Sequence, residues 1–180
     1  MEENYKELFI VISQTGSLFS RFLKFFTGAE YNHASICLER DLNRMYSFGR
    51  RIPYFPLPGG FVEESPNFGT FKFFSNTKII VLAVKVEYHK YFEIKEYINN
   101  MLSQKMNYGY NYLGLFLAAL KICHKSRNRY YCSEFVREVL NIHNINGSEK
   151  IMGIVQPMDF LNLPDVTHIY RSKLKNYCFE

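Results

Sequence analysis

The run at residues 78–86, KIIVLAVKV, constrains the fold more than any other segment, because its density of β-branched side chains predicts a strand. Residues 7–13 (ELFIVIS) read the same way, and Gly16 punctuates them before a segment of different period. Residues 33–38 (HASICL) and 44–48 (RMYSF) flank the polar connection Glu-Arg-Asp-Leu-Asn, which is of hairpin length, and should pair antiparallel. The prolines and glycines of residues 53–69 predict a long loop with one short strand at residues 60–63. After residue 86 the period becomes helical. Residues 92–102 place Ile94, Tyr97, Ile98, Met101 and Leu102 on one face, and residues 133–140 do so with Phe135, Val136, Val139 and Leu140. Residues 112–122 form a helix that is apolar almost all round, residues 17–26 a short amphipathic helix, and residues 166–170 a late strand. The expected class is α+β, an antiparallel sheet with helices packed against it.

A chain of 180 residues with 47% hydrophobic content fits one domain over residues 1–180, and an aromatic share of 17% excludes a disordered chain. Lys and Arg number 22 against 17 Asp and Glu, giving a net charge of +5 that is mostly scattered. The dense basic stretch, residues 121–129, reads as a solvated loop, with contact to an anion as the alternative. No helix-turn-helix, zinc finger or aromatic single-strand platform is legible, so nucleic acid is not an expected partner.

The acidic start and short first apolar run do not form a signal peptide. Residues 113–120 fall well short of the roughly 20 residues a transmembrane helix needs, and read as a buried core helix. A cytoplasmic location is expected. Cys37, Cys123, Cys132 and Cys178 show no C-x-x-C spacing, which predicts free thiols. Cys123, His124, Cys132 and His143 match no common zinc spacing, and no metal or other cofactor is implied.

Two residues carry candidate chemistry. Cys132 stands where Tyr130-Tyr-Cys-Ser-Glu-Phe-Val passes from the basic loop into a helix. There the free N–H groups and the positive end of the helix dipole favour thiolate over thiol, and the same amides can receive an oxyanion. The same context also suits a free cysteine packed as a small hydrophobe. His33 opens its strand, with Ser35 and Cys37 on its face and Ala34, Ile36 and Leu38 on the other. A histidine at a strand edge, taken alone, is more often a surface or satisfied core residue than a base.

Taken together, Asn32-His-Ala-Ser-Ile, Met45-Tyr-Ser-Phe-Gly-Arg, Pro58-Gly-Gly-Phe, Tyr108-Gly-Tyr-Asn-Tyr-Leu-Gly and Tyr131-Cys-Ser-Glu-Phe-Val resemble the circularly permuted NlpC-like papain-fold proteins. These include the YiiX-like group and are related to lecithin:retinol acyltransferase. The resemblance spans about residues 9–160. It implies a thiol hydrolase or acyltransferase in which the histidine strand precedes the cysteine helix, with Cys132 as nucleophile and His33 as base.

The family's third position, which orients the histidine, falls near Ser47, where a short neutral side chain departs from the usual strong acceptor. Glu39 shares the His33 face but lies roughly 20 Å along the strand. Asn32 and Tyr31 are nearby polar alternatives. Gly59 and Gly60 suit either a turn or a close ligand approach, and Tyr108, Tyr110 and Tyr112 either packing or a cleft wall.

The expected function is cysteine-dependent hydrolysis or acyl transfer at an amide, peptide or ester bond, on a small-molecule, peptide or lipid-like substrate. A non-catalytic ligand-binding module on the same fold is the alternative.

Overall fold

A computed structural model of the chain describes residues 4–16 and 28–179, so the amphipathic segment read at residues 17–26 lies outside the described residues. The strands are β1 (Tyr5–Gln14), β2 (His33–Cys37), β3 (Met45–Ile52), β4 (Phe55–Glu64), β5 (Lys78–Glu87), β6 (Gly109–Tyr110), β7 (Arg129–Tyr130) and β8 (Val166–Lys173). They form one eight-stranded open sheet in the order β7-β6-β4-β3-β2-β1-β5-β8. Every neighbouring pair is antiparallel except β6–β7. The described α-helices are α1 (Gly69–Phe73), α2 (Tyr88–Ser103), α3 (Tyr112–Ala119) and α4 (Cys132–Ile142). None of the described helices is long and apolar enough to cross a membrane.

β5 shows why its sequence is an almost unbroken apolar run. It pairs with β1 from Tyr5↔Glu87 to Gln14↔Lys78 and with β8 on its other side. Ile80, Leu82, Val84 and Val86 face one apolar cluster with α2 and α4, while Ile79, Val81 and Ala83 face a second with Phe71 of α1 and Leu174. A strand covered on both faces has no side to leave polar. Full burial of each such aliphatic side chain contributes on the order of 2 kcal/mol, which fixes the register of the sheet's centre.

β2 and β3 pair as Ile36↔Tyr46 and Cys37↔Met45 across the polar connection at residues 39–43. The next hairpin differs from the sequence reading. Residues 55–64, expected to be mostly loop, form a ten-residue strand that runs beside β3 from Met45↔Glu64 to Gly49↔Gly60. Its prolines sit toward the Phe55 end, while the ladder to β6 is confined to Gly60↔Gly109, so the missing N–H groups cost little. A Cβ on Gly59 would lie 2.5 Å from Tyr112 Oη, and one on Gly60 would lie 2.6 Å from the Tyr108 carbonyl. The glycines let the next segment close against the strand.

α3 also departs from expectation. It ends at Ala119, and its apolar side chains are largely uncovered: Phe116 is 64% exposed and Leu113 more than half exposed. Hydrophobicity alone says what water disfavours, and it does not supply a neighbour to pack against.

Candidate active site

β2 begins at His33, and the pairing of β3 with β4 brings Glu64, the last residue of β4, to the imidazole. His33 Nε2 donates to both carboxylate oxygens of Glu64, each at 3.0 Å, and Ser35 Oγ donates to Glu64 Oε2 at 2.7 Å. His33 is 16% exposed and Glu64 is 8% exposed, so this is an ion pair largely withdrawn from solvent. Gly49 lies beside the pair. A Cβ there would stand 3.4 Å from Glu64 Oε1 and 3.6 Å from His33 Cε1. Phe71 closes the far side, edge-on to the imidazole at 6.4 Å between centroids.

Burial by itself pushes the imidazole's pKa down, but the charge of Glu64 and hydrogen bonds with Cys132 and Glu64 outweigh it and raise the pKa to about 10. Burial likewise works against the Glu64 carboxylate, yet the His33 charge, the bonds from His33 and Ser35, and the charge of Arg50 hold it below the usual carboxylate range. At neutral pH the pair is imidazolium and carboxylate. Nε2 faces the carboxylate, which leaves Nδ1 as the ring nitrogen for the sulfur.

Cys132 is the first residue of α4 and 3% exposed, with Sγ 3.8 Å from the carbonyl of Asn32, the residue preceding His33. A second buried carboxylate fixes the helix start. Glu134 Oε2 accepts from the backbone N–H of Tyr131 at 3.1 Å and from Asn111 Nδ2 at 3.2 Å, while Asn111 Oδ1 caps α3 by accepting from the Gly114 N–H at 2.9 Å. One side chain therefore ties the helix carrying the sulfur to the start of α3. Amides of the first turn have no partner within a helix, so those of Cys132 and Ser133 are placed to donate to an oxygen beside the sulfur.

Cys132 opens on a small, mainly apolar cleft of about 60 Å³, walled by Leu115, Ala118 and Ala119 of α3 on one side and Val155, Gln156 and Pro157 on the other. α4 holds that second wall, since Ser133 Oγ donates to the Val155 carbonyl at 2.8 Å and Arg137 Nη1 to the Gly153 carbonyl at 2.6 Å. A larger open groove of about 1070 Å³ lies elsewhere, bordered by residues such as Lys6, Arg40 and Lys85, and shares no residue with this cleft.

The structure thus brings Cys132 and His33 together and sets Ser47 aside. Ser47 Oγ is buried and donates to the Ala34 carbonyl at 2.6 Å, so it fastens β3 to β2 and does not orient the histidine. Glu39 serves Tyr91 at 3.3 Å. Tyr31 packs in the core, and Asn32 takes part through its carbonyl. Tyr110 and Tyr112 pack as tilted rings with centroids 4.7 Å apart, and neither borders the cleft. Among the described residues no group of three or more His, Cys, Asp or Glu could hold a metal ion, and His143 Nδ1 is occupied by the Val139 carbonyl at 2.7 Å.

Glu64 was the residue that sequence reading missed. Its signal was the alternation Gly60, Val62, Glu64, which carries the face shared with Ser47 one step beyond the short strand read at residues 60–63. Comparison of the chain with protein-family models, curated proteins and solved structures gave no match.

Proposed function

We propose that this chain is a cysteine-dependent hydrolase or acyltransferase of permuted papain-like fold, with Cys132 as nucleophile, His33 as proton carrier and Glu64 as the group that orients and charges the imidazole. The observation that carries the reading is the ring of His33 held between a buried carboxylate at 3.0 Å and the Cys132 side chain. The proton of the Cys132 thiol is already held on His33 as imidazolium, and the sulfur attacks as thiolate the carbonyl carbon of an amide or ester. The carbonyl oxygen becomes negative and is received by the amides at the start of α4, a contribution of about 3–4 kcal/mol per well-placed donor. The imidazolium then protonates the leaving nitrogen or oxygen as its bond to carbon breaks, leaving a thioester on Cys132. Water, or another acceptor deprotonated by His33, attacks that thioester and expels the Cys132 thiolate, which restores the thiolate–imidazolium pair.

A ligand-binding module without turnover would be favoured by a neutral group beside the histidine, and a carboxylate stands there instead. The test is site-resolved alkylation by iodoacetamide near neutral pH, read by peptide mass spectrometry. Cys132 is expected to react faster than the exposed Cys123 and Cys178 despite its burial, and His33→Ala to slow it. Cys37, whose thiol burial pushes up to about 12 and which donates to the Glu39 carbonyl at 2.9 Å, is expected to be inert. Equal labelling of Cys132 and the exposed pair, unaffected by His33→Ala, contradicts the proposal.

A further inference from the structure

The catalytic reading leaves one surface unused. Phe116 of α3 is 64% exposed and Leu113 more than half exposed, and at the β3–β4 hairpin Tyr54 is 71% exposed, with Phe55 and Leu57 at least half exposed. The two groups adjoin, because Tyr112 Oη at the start of α3 donates to the Pro56 carbonyl at 2.7 Å. Single exposed apolar residues are ordinary, but a helix face and a hairpin tip joined into one patch mark a place of contact. The patch borders the cleft, since Leu115 and Ala118 of the same helix wall it at Cys132.

The charge of the segments that carry and flank this patch selects the partner. Residues 97–133 contain no Asp or Glu, while they hold Lys105, Lys121, Lys125, Arg127 and Arg129. Residues 51–62 hold Arg51 and again no carboxylate. A second copy meeting this surface face to face would set basic stretch against basic stretch, which is repulsive. Nucleic acid would satisfy the cations and leave the aliphatic side chains without a role. A bilayer with anionic headgroups satisfies both, taking Leu and Phe at the acyl boundary and Lys and Arg at the phosphates.

We propose that α3 and the β3–β4 hairpin form a docking surface for an anionic lipid bilayer, which would set the cleft of Cys132 against the membrane face. This goes beyond the catalytic reading and does not need it, because docking is measured without turnover.

The chain has no Trp, so Phe116→Trp gives a single reporter. Mixed with phosphatidylglycerol–phosphatidylcholine vesicles, this variant is expected to shift its emission to the blue and to cosediment. Binding should fall about tenfold or more on pure phosphatidylcholine or in high salt. Phe92→Trp on α2, which follows β5 in the other half of the sheet, should show no shift. Leu113→Asp with Phe116→Asp alters exposed positions only and should abolish cosedimentation, with unchanged circular dichroism showing that the fold persists.

Absence of binding to anionic vesicles overturns the proposal, as does equal binding to neutral ones or undiminished binding by the double Asp variant. Emission from Phe116→Trp that is already blue without vesicles overturns it too. If that emission depends on protein concentration, a second copy covers the patch; if it does not, the chain itself covers it.

Discussion

Replacing Glu64 by Gln keeps the shape and an acceptor for His33 Nε2 while removing the negative charge. The interval between the ordinary imidazole value of 6.5 and about 10, at about 1.4 kcal/mol per pH unit, corresponds to about 5 kcal/mol favouring the protonated ring. Coulomb's law agrees in size: unit charges about 4 Å apart at an effective dielectric near 20 attract by about 4 kcal/mol. Solvent reaching the 16% exposed ring trims both figures. Without the carboxylate, burial is opposed only by the contacts with Cys132 and the remaining neutral acceptor, so His33 is expected to titrate well below about 10 in the variant. The assay is an NMR titration of carbon-13-labelled histidine rings, with His33 assigned by its loss in His33→Gln. At neutral pH the variant should also alkylate Cys132 slower, on the order of 100-fold, because the imidazole no longer stays charged beside the sulfur. The reasoning is refuted if wild-type His33 titrates near 6.5, or if Glu64→Gln leaves its titration point unmoved.

Two further outcomes separate Glu64 from its neighbours. Ser47→Ala should cost about 1–3 kcal/mol of stability by stranding the buried Ala34 carbonyl, with the His33 titration unchanged; a shifted titration would mean the serine does touch the catalytic electrostatics. The His33–Glu64 pair should also make stability depend on pH in a defined direction. Its contribution is whole below about 6.5 and drains as pH rises toward about 10, because the folded chain keeps a proton that the unfolded chain has lost. On the acid side Glu64, held below its ordinary 4.5, loses its share as pH falls through its folded value. Urea midpoints of wild type minus those of the His33→Gln, Glu64→Gln double variant should therefore peak between about pH 4.5 and 6.5; a flat difference through the alkaline range would contradict the pair's role.

Much of the frame was readable because local pattern and tertiary context agreed. KIIVLAVKV is a strand by composition and is also covered on both faces, and the polar connection at residues 39–43 has the length that β2 and β3 need. Cys132 and His33 were legible for a related reason, each standing at the start of an element whose beginning the sequence marks. The misreadings came where local and tertiary signals part. Pro and Gly in residues 53–69 signal turns, yet pairing with β3 and the close approach of Tyr108 and Tyr112 make ten of those residues a strand, and with it hide Glu64. In α3 an apolar sequence reads as a buried one, although only a neighbouring surface can bury it, and among the described residues Phe116 stays 64% exposed. Ser47 held the expected place on the strand after His33, but its hydroxyl is short enough to be captured by the Ala34 carbonyl at 2.6 Å.

The central claim is that Cys132, charged and proton-coupled through His33 and Glu64, attacks acyl carbon. Intact-protein mass spectrometry after rapid acid quench from an activated ester, such as p-nitrophenyl acetate, tests it most directly. The account predicts one acyl group per chain, mapped to Cys132, formed in a burst that Cys132→Ala abolishes and Glu64→Gln slows. No acylated protein, or acylation that persists in Cys132→Ala, would contradict it.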